Sequence, residues 1–325
     1  MIWIERAGLA TPWFFVAVFL VASFLMVWRL ESMAAEGMEG TVLGTVVMPY
    51  CTGMSNLIFA IVLGMHGGSG AEVVTNCLVN NVTNLTLLVG FPAALWGMSV
   101  LPDKAAKSGQ DCSHHLKRLS MMLTLMAVLF FTGTAWVVGR RREIGLGEGL
   151  ILIGLFLCWQ AFHVLEVLKS NRRQNKTFRR MLAINLVLLG VGTYGTYVST
   201  DWLVSWLSHI KNGFISARHM GWLSGWLDVL PNGLMAFYYG WRRQAEVVYT
   251  SQVGDAHICI PLCIGIFALY KPIVVPPIFE TGVLILGGAT LVHLIFIGTC
   301  GRLPRAIGWL LTAAYAVFLY KGLIK

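Results

Sequence analysis

Two runs of the chain place polar side chains in apolar surroundings: AEVVTNCLVNNVTNLTLLVG (71–90) and AEVVYTSQVGDAHICIPLCIG (245–265). In the first, Asn76, Asn80 and Asn84 recur every fourth residue, with Asn81 and Thr83 beside them. In the second, Ser251, Asp255 and Cys259 keep the same spacing. Side chains four apart stack on one helix face. Carboxylate and amide oxygens on one face are the donors that take a hard cation out of water. A single Asn in such a helix reads as a hydrogen-bonding link between helices. A stripe of them in a repeated element reads as an ion or substrate path. His257 lies about 200° around a helix from Asp255. Asp255 is therefore the site residue, unless Gly254 breaks the helix and brings the two together. His257 is left with packing or a proton role.

These residues must be carried by membrane-spanning helices. The chain has 325 residues, 57% hydrophobic and 12% charged, with mean hydropathy +0.71. Ten apolar runs are each long enough to cross a bilayer as a helix: 13–28, 41–65, 72–100, 119–138, 150–168, 181–203, 220–239, 247–269, 282–300 and 303–319. No segment between them is long enough for a separate globular domain. The N-terminus is not basic and does not read as a cleaved signal peptide. The net charge of +9 does not indicate nucleic acid, because Lys and Arg sit in the loops. They concentrate after odd-numbered spans, above all in KSNRRQNKTFRR (169–180). That side should face the cytoplasm and both termini should lie outside. GRRRE (139–143) dissents. The expected location is a cell membrane, of the prokaryotic inner-membrane kind. The seven Cys show no metal spacing and read as packing residues. His163 with Glu166, the lone His293, and His114–His115 in a loop all read as structural. No phosphate cradle, nucleophile elbow or haem motif is present, so an enzyme is not expected.

The basic loop after the fifth span splits the chain into five-span halves, 1–170 and 171–325. Five is odd, so the halves insert with opposite orientation, the arithmetic of an inverted repeat. The AEVV runs fall at the third span and the eighth, as that repeat requires. The second copy is one residue longer. Anchored at the closing glycines Gly90 and Gly265, Asn76 pairs with Ser251, Asn80 with Asp255 and Asn84 with Cys259. The span before each copy carries a proline, Pro49 or Pro231, expected to break the helix. Asp228 in the seventh span is a second buried carboxylate, and the seventh span is the expected partner of the eighth. The second span offers Ser55 and Asn56 but no carboxylate.

This arrangement resembles the calcium/cation antiporter superfamily, of the sodium/calcium exchanger type. In that family each half carries a span with G-T-S-x-P-E and then one with G-N-x-x-G-S-N-x-x-N. Asn76, Asn81 and Asn84 match the three Asn of the second element, while Thr75, Val79 and Asn80 replace its Gly, Gly and Ser. Leu230–Pro231 and Gly254 match in the second repeat. The family's paired Glu are absent: Asn232 stands at one position and Leu57 or Tyr50 at the other. Ser251 replaces its Asp or Asn. Asp228 and Asp255 are each displaced by four residues from those positions, as a relocated acidic site would be.

The resemblance implies an all-α membrane protein of ten transmembrane helices in two inverted five-helix repeats, with α-repeats at about 44–90 and 225–265. It implies a secondary antiporter exchanging Na+, Ca2+ or H+ by alternating access, with no cofactor. Its partners would be the lipid bilayer and small inorganic cations. The expected cation-binding residues are Asp255, Asp228, Asn76, Asn80, Asn81, Asn84, Ser251 and Ser55. The expected helix breaks are Pro49, Pro231 and Gly254. Two other readings stand beside it: a transporter of a non-cation solute on the same scaffold, and a membrane subunit that transports nothing.

Overall fold

A computed structural model describes residues 11–35, 53–99, 111–171 and 179–324. These form ten long helices. In chain order they are α1 (Thr11–Ala35), α2 (Met54–Met65), α3 (Gly70–Trp96), α4 (Asp111–Gly139) and α5 (Leu146–Asn171). The second set is α6 (Arg179–His209), α7 (Met220–Trp241), α8 (Ala245–Ile258 continuing to Tyr270), α9 (Ile278–Cys300) and α10 (Arg305–Leu319). Leu, Val, Ile, Phe and Ala dominate them, and their ends fall at Gly, Pro and basic residues. Gly97 and Gly301 take left-handed φ values of 69° and 63° just beyond α3 and α9, a conformation that other residues adopt only at a cost. Among the described residues, six helices are long and apolar enough to cross a membrane. Pro49 and the start of the second span lie outside the described residues.

The inverted repeat is visible in which helices touch. Exchanging α1–α5 with α6–α10 turns most major contacts into other major contacts, although the close α2–α6 pair maps onto α1 and α7, which touch little. The α1–α6 and α4–α9 pairs map onto themselves. The α10–α3 pair maps onto α5–α8, and α9–α3 onto α4–α8. Four two-residue strands, unforeseen in an all-α reading, obey the same symmetry. β1 (Met98–Ser99) pairs with β4 (Arg302–Leu303), and β2 (Glu143–Ile144) with β3 (Ile273–Val274). The two closing glycines of the repeats make equivalent close approaches. A Cβ on Gly90 would stand 2.9 Å from the Gly308 carbonyl oxygen, and one on Gly265 would stand 2.9 Å from that of Gly149.

Two of the expected helix breaks, Pro231 and Gly254, are corrected. α7 stays helical through Pro231, because a proline removes one N–H and the surrounding turns hold the rest. α8 stays helical through Gly254. The departures come later and in matching places: a π-helical turn at Thr83–Leu88 in α3 and another at Cys259–Cys263 in α8. Pro92 follows the first and Pro261 lies in the second. A π turn takes up the carbonyl that a proline leaves without its N–H. The expected pairing of α7 with α8 is also incomplete. α7 packs most extensively on α3, and it touches α8 less.

Candidate functional site

α3 and α8 are the most enclosed of the membrane-length helices, and the Asn stripe of α3 faces the second repeat. Asn76, Asn80, Asn81 and Asn84 are all fully buried, as is Asp255. The side-chain nitrogens of Asn80 (2.9 Å), Asn84 (2.7 Å) and Asn232 (3.0 Å) all donate to one oxygen, Oδ2 of Asp255. One turn earlier on α3, the nitrogen of Asn76 donates to Oδ2 of Asp228 at 2.9 Å and to Oγ of Ser224 at 3.0 Å. Ser55, from α2, also hydrogen-bonds Asp228. Asn76 and Asn80 are separated by about 6 Å of helix rise. One face of α3 therefore holds both carboxylates of the second repeat, a turn apart.

The carboxylates fix how the amides point. A flipped Asn would set its carbonyl oxygen against a carboxylate oxygen, so the N–H groups face Asp228 and Asp255. Among the described residues, the carbonyl oxygens of Asn76, Asn80 and Asn84 are buried with no donor, as is Oε1 of Gln252. Leaving an acceptor buried and unmatched costs about 1–3 kcal/mol. Such oxygens can be satisfied by a cation.

The other expected residues take different parts. Asn81 donates to the Ala256 carbonyl of α8 at 2.8 Å, which clips the two repeats together. Ser251 donates to Val248 of its own helix and accepts from Gln252. Its hydroxyl is thus committed within α8 rather than to Asp255. His257 is buried, and with α8 unbroken at Gly254 it does not share the Asp255 face. The side chains of His163, Glu166, His114 and His115 lie outside the described residues.

Sequence reasoning missed Asn232, Ser224 and Gln252. Asn232 was in view as a replacement for an absent carboxylate, yet it is one of three amides on Asp255. Gln252 donates to the main-chain carbonyl of Asn232 (3.3 Å) and so ties α8 to the α7 backbone. Cys259 also joins the cluster, its Sγ lying 3.2 Å from the Asn80 nitrogen. His293 is not isolated: Nε2 meets the Leu85 carbonyl in the π turn of α3 (2.7 Å), and Nδ1 meets the Tyr249 hydroxyl (2.9 Å).

The family described as sodium/calcium exchanger protein matches residues 9–165 and 184–321. Solved structures of the sodium-calcium exchanger NCX_Mj superpose along the chain. The one soaked with 10 mM Na+ and 10 mM Sr2+ gives a TM-score of 0.66 at 17% identity, covering 100% of both chains. The one with 100 mM Na+ and 10 mM Sr2+ gives 0.66 at 18% over 100% of both. The one with 2.5 mM Na+ and 1 mM Sr2+ gives 0.65 at 17%, over 95% of this chain and 96% of that one. No curated protein matched the chain.

Proposed function

Because the chain belongs to the sodium/calcium exchanger family, we propose that it is a secondary antiporter that carries small cations through the α3–α7–α8 cluster. It is a multi-pass membrane transporter and not an enzyme. The observation that carries this reading is the pair of buried carboxylates, Asp255 held by three amides and Asp228 by one, beside amide oxygens that have no donor among the described residues. A dehydrated cation supplies the charge those oxygens lack.

Asp255 and Asp228 would contribute charge, and Asn76, Asn80 and Asn84 would contribute carbonyl oxygens. Ser55 would support Asp228, Asn81 would hold α3 and α8 in register, and Ser251 would brace Gln252 within α8. His257 keeps a proton role only through a path that avoids the Asp255 face. The substrates in this reading are Na+, H+ or Ca2+, with weak preference for Ca2+. That divalent ion favours several anionic oxygens, whereas the amides here already share out the charge of Asp255. Alternating access would come from α1 and α6 moving against the inner helices. We assign the repeats to residues 1–170 and 171–325.

The test is flux in proteoliposomes with a panel of Na+, H+, Ca2+ and uncharged solutes. Cation-coupled exchange, lost in Asp255→Asn, is expected. Solute flux with no cation dependence would overturn the reading, as would a silent protein that purifies with a stable membrane partner.

A further inference from the structure

On the outer surface, on the turns of α7 that follow Asn232, α1 and α7 part to leave a groove of about 280 Å³. Phe24, Val27 and Trp28 line it from α1, and Leu234 and Tyr238 from α7. Trp28 and Tyr238 are about half exposed, so the groove opens to the surroundings of the helices. Its lining is apolar and aromatic, which suits hydrocarbon and not a hydrated ion.

The end of this groove is basic. Arg29 follows Trp28 and stacks on it, with its guanidinium carbon 3.4 Å from the ring centroid. Arg242 sits just beyond α7, 5.3 Å from the Tyr238 ring centroid. It also donates to the Tyr238 hydroxyl at 3.0 Å. Both helices reach this end with their C-termini, so both cations gather at one membrane surface. A guanidinium stacked by its face keeps its edge N–H groups for acceptors.

We propose that this groove binds one anionic phospholipid, with an acyl chain between α1 and α7 and its phosphate at Arg29 and Arg242. Apolar lining calls for the chain, and two guanidiniums at its end call for a phosphate that carries net negative charge. A zwitterionic headgroup would set its ammonium against the same two cations. The leaflet is the one on the side of the basic loop 169–180.

The experiment reads lipid retention, which does not depend on transport. The full chain is placed in nanodiscs of phosphatidylcholine and phosphatidylglycerol in equal parts, and bound lipid is counted by native mass spectrometry. Wild type is expected to retain one phosphatidylglycerol in preference to phosphatidylcholine. Arg29→Gln and Arg242→Gln should each weaken retention roughly fivefold, equivalent to ~1 kcal/mol per basic residue near the surface. The double variant should lose the preference. Leu234→Trp, at an exposed position, fills the groove with both arginines intact and should also expel the lipid. Inorganic phosphate should not compete, since it has no chain. Equal retention of both lipids by wild type overturns the proposal, and so does a groove covered by a second copy or another part of the chain, which admits neither. Unchanged preference in the double variant, retention in Leu234→Trp, or displacement by inorganic phosphate does the same.

Discussion

Three amide N–H groups on one carboxylate oxygen make Asp255 the residue on which the cluster turns. Asp255→Asn keeps an oxygen for those donors and removes the charge. The variant should fold, with thermal stability near that of wild type, and cation exchange should be lost. Asp255→Ala removes every acceptor. With about 1–3 kcal/mol for each buried donor left unmatched, it should lose several kcal/mol and fail to survive purification at temperatures that wild type tolerates. If both variants were equally stable, the amides would not depend on the carboxylate. Protons and metal ions compete for the same carboxylate oxygens. Apparent cation affinity should therefore weaken as pH falls, because protonation removes the ligand. Asp228→Asn should flatten that dependence. Binding measured from pH 5.5 to 8.5 in both proteins checks it, and a pH-independent affinity would exclude the carboxylates as ligands. Asp228, Asp255 and the Asn stripe were legible in the sequence because each is costly in an apolar helix. Asn232 was not, because its role depends on how close α7 comes to α8, which no local pattern encodes.

Helices α3 and α8 approach their outer neighbours through paired glycines, and this is where packing tolerance should be least. A Cβ on Gly308 would also strike the backbone nitrogen of Ala94, which cannot yield as a flexible side chain would. Overpacking of this kind costs typically ~1–3 kcal/mol. Gly90→Ala and Gly265→Ala should destabilise by similar amounts, since their surroundings are symmetry equivalents. Gly287→Ala on α9 is the control, with nothing within 4 Å of its Cβ. Thermal denaturation in detergent measures all three, and a loss in the control equal to the others would show that the contacts do not matter. The closing glycines were visible in the repeated run, but Gly308 and Gly149 were not, since their partners lie far away in sequence. The π turns were hidden for another reason. One extra residue in a turn changes hydrogen bonding without changing composition, so proline alone suggested a break at Pro231, where the helix continues. The two-residue strand pairs were likewise below any periodicity the sequence displays.

At the scale of the whole molecule, an inverted repeat makes a statement about sidedness. α2 and α7 are counterparts, so their C-terminal ends must emerge on opposite faces of the membrane. At the end of α2, His66 meets Asp201 of α6 at 2.8 Å, and Lys271 donates to the Gly67 carbonyl at 2.7 Å. At the end of α7 stand Arg242 and Arg243, in the class of loops richest in Lys and Arg. From the bias of basic loops toward the cytoplasm, His66 is expected outside and Arg242 inside. The Arg140–Arg142 cluster, on the His66 side by this reckoning, is partly answered by Glu280, 3.6 Å from Arg142. The prediction is tested with single cysteines. Cys158 and Cys300, the exposed thiols among the described residues, are first replaced, and labelling of that parent is subtracted. His66→Cys should react with a membrane-impermeant maleimide in intact cells. Arg242→Cys should react only after the cells are opened. The reverse pattern would invert the assigned orientation while keeping the repeat. Labelling of both from one side would overturn the inverted repeat itself, because two counterpart helix ends on one face require halves inserted in parallel.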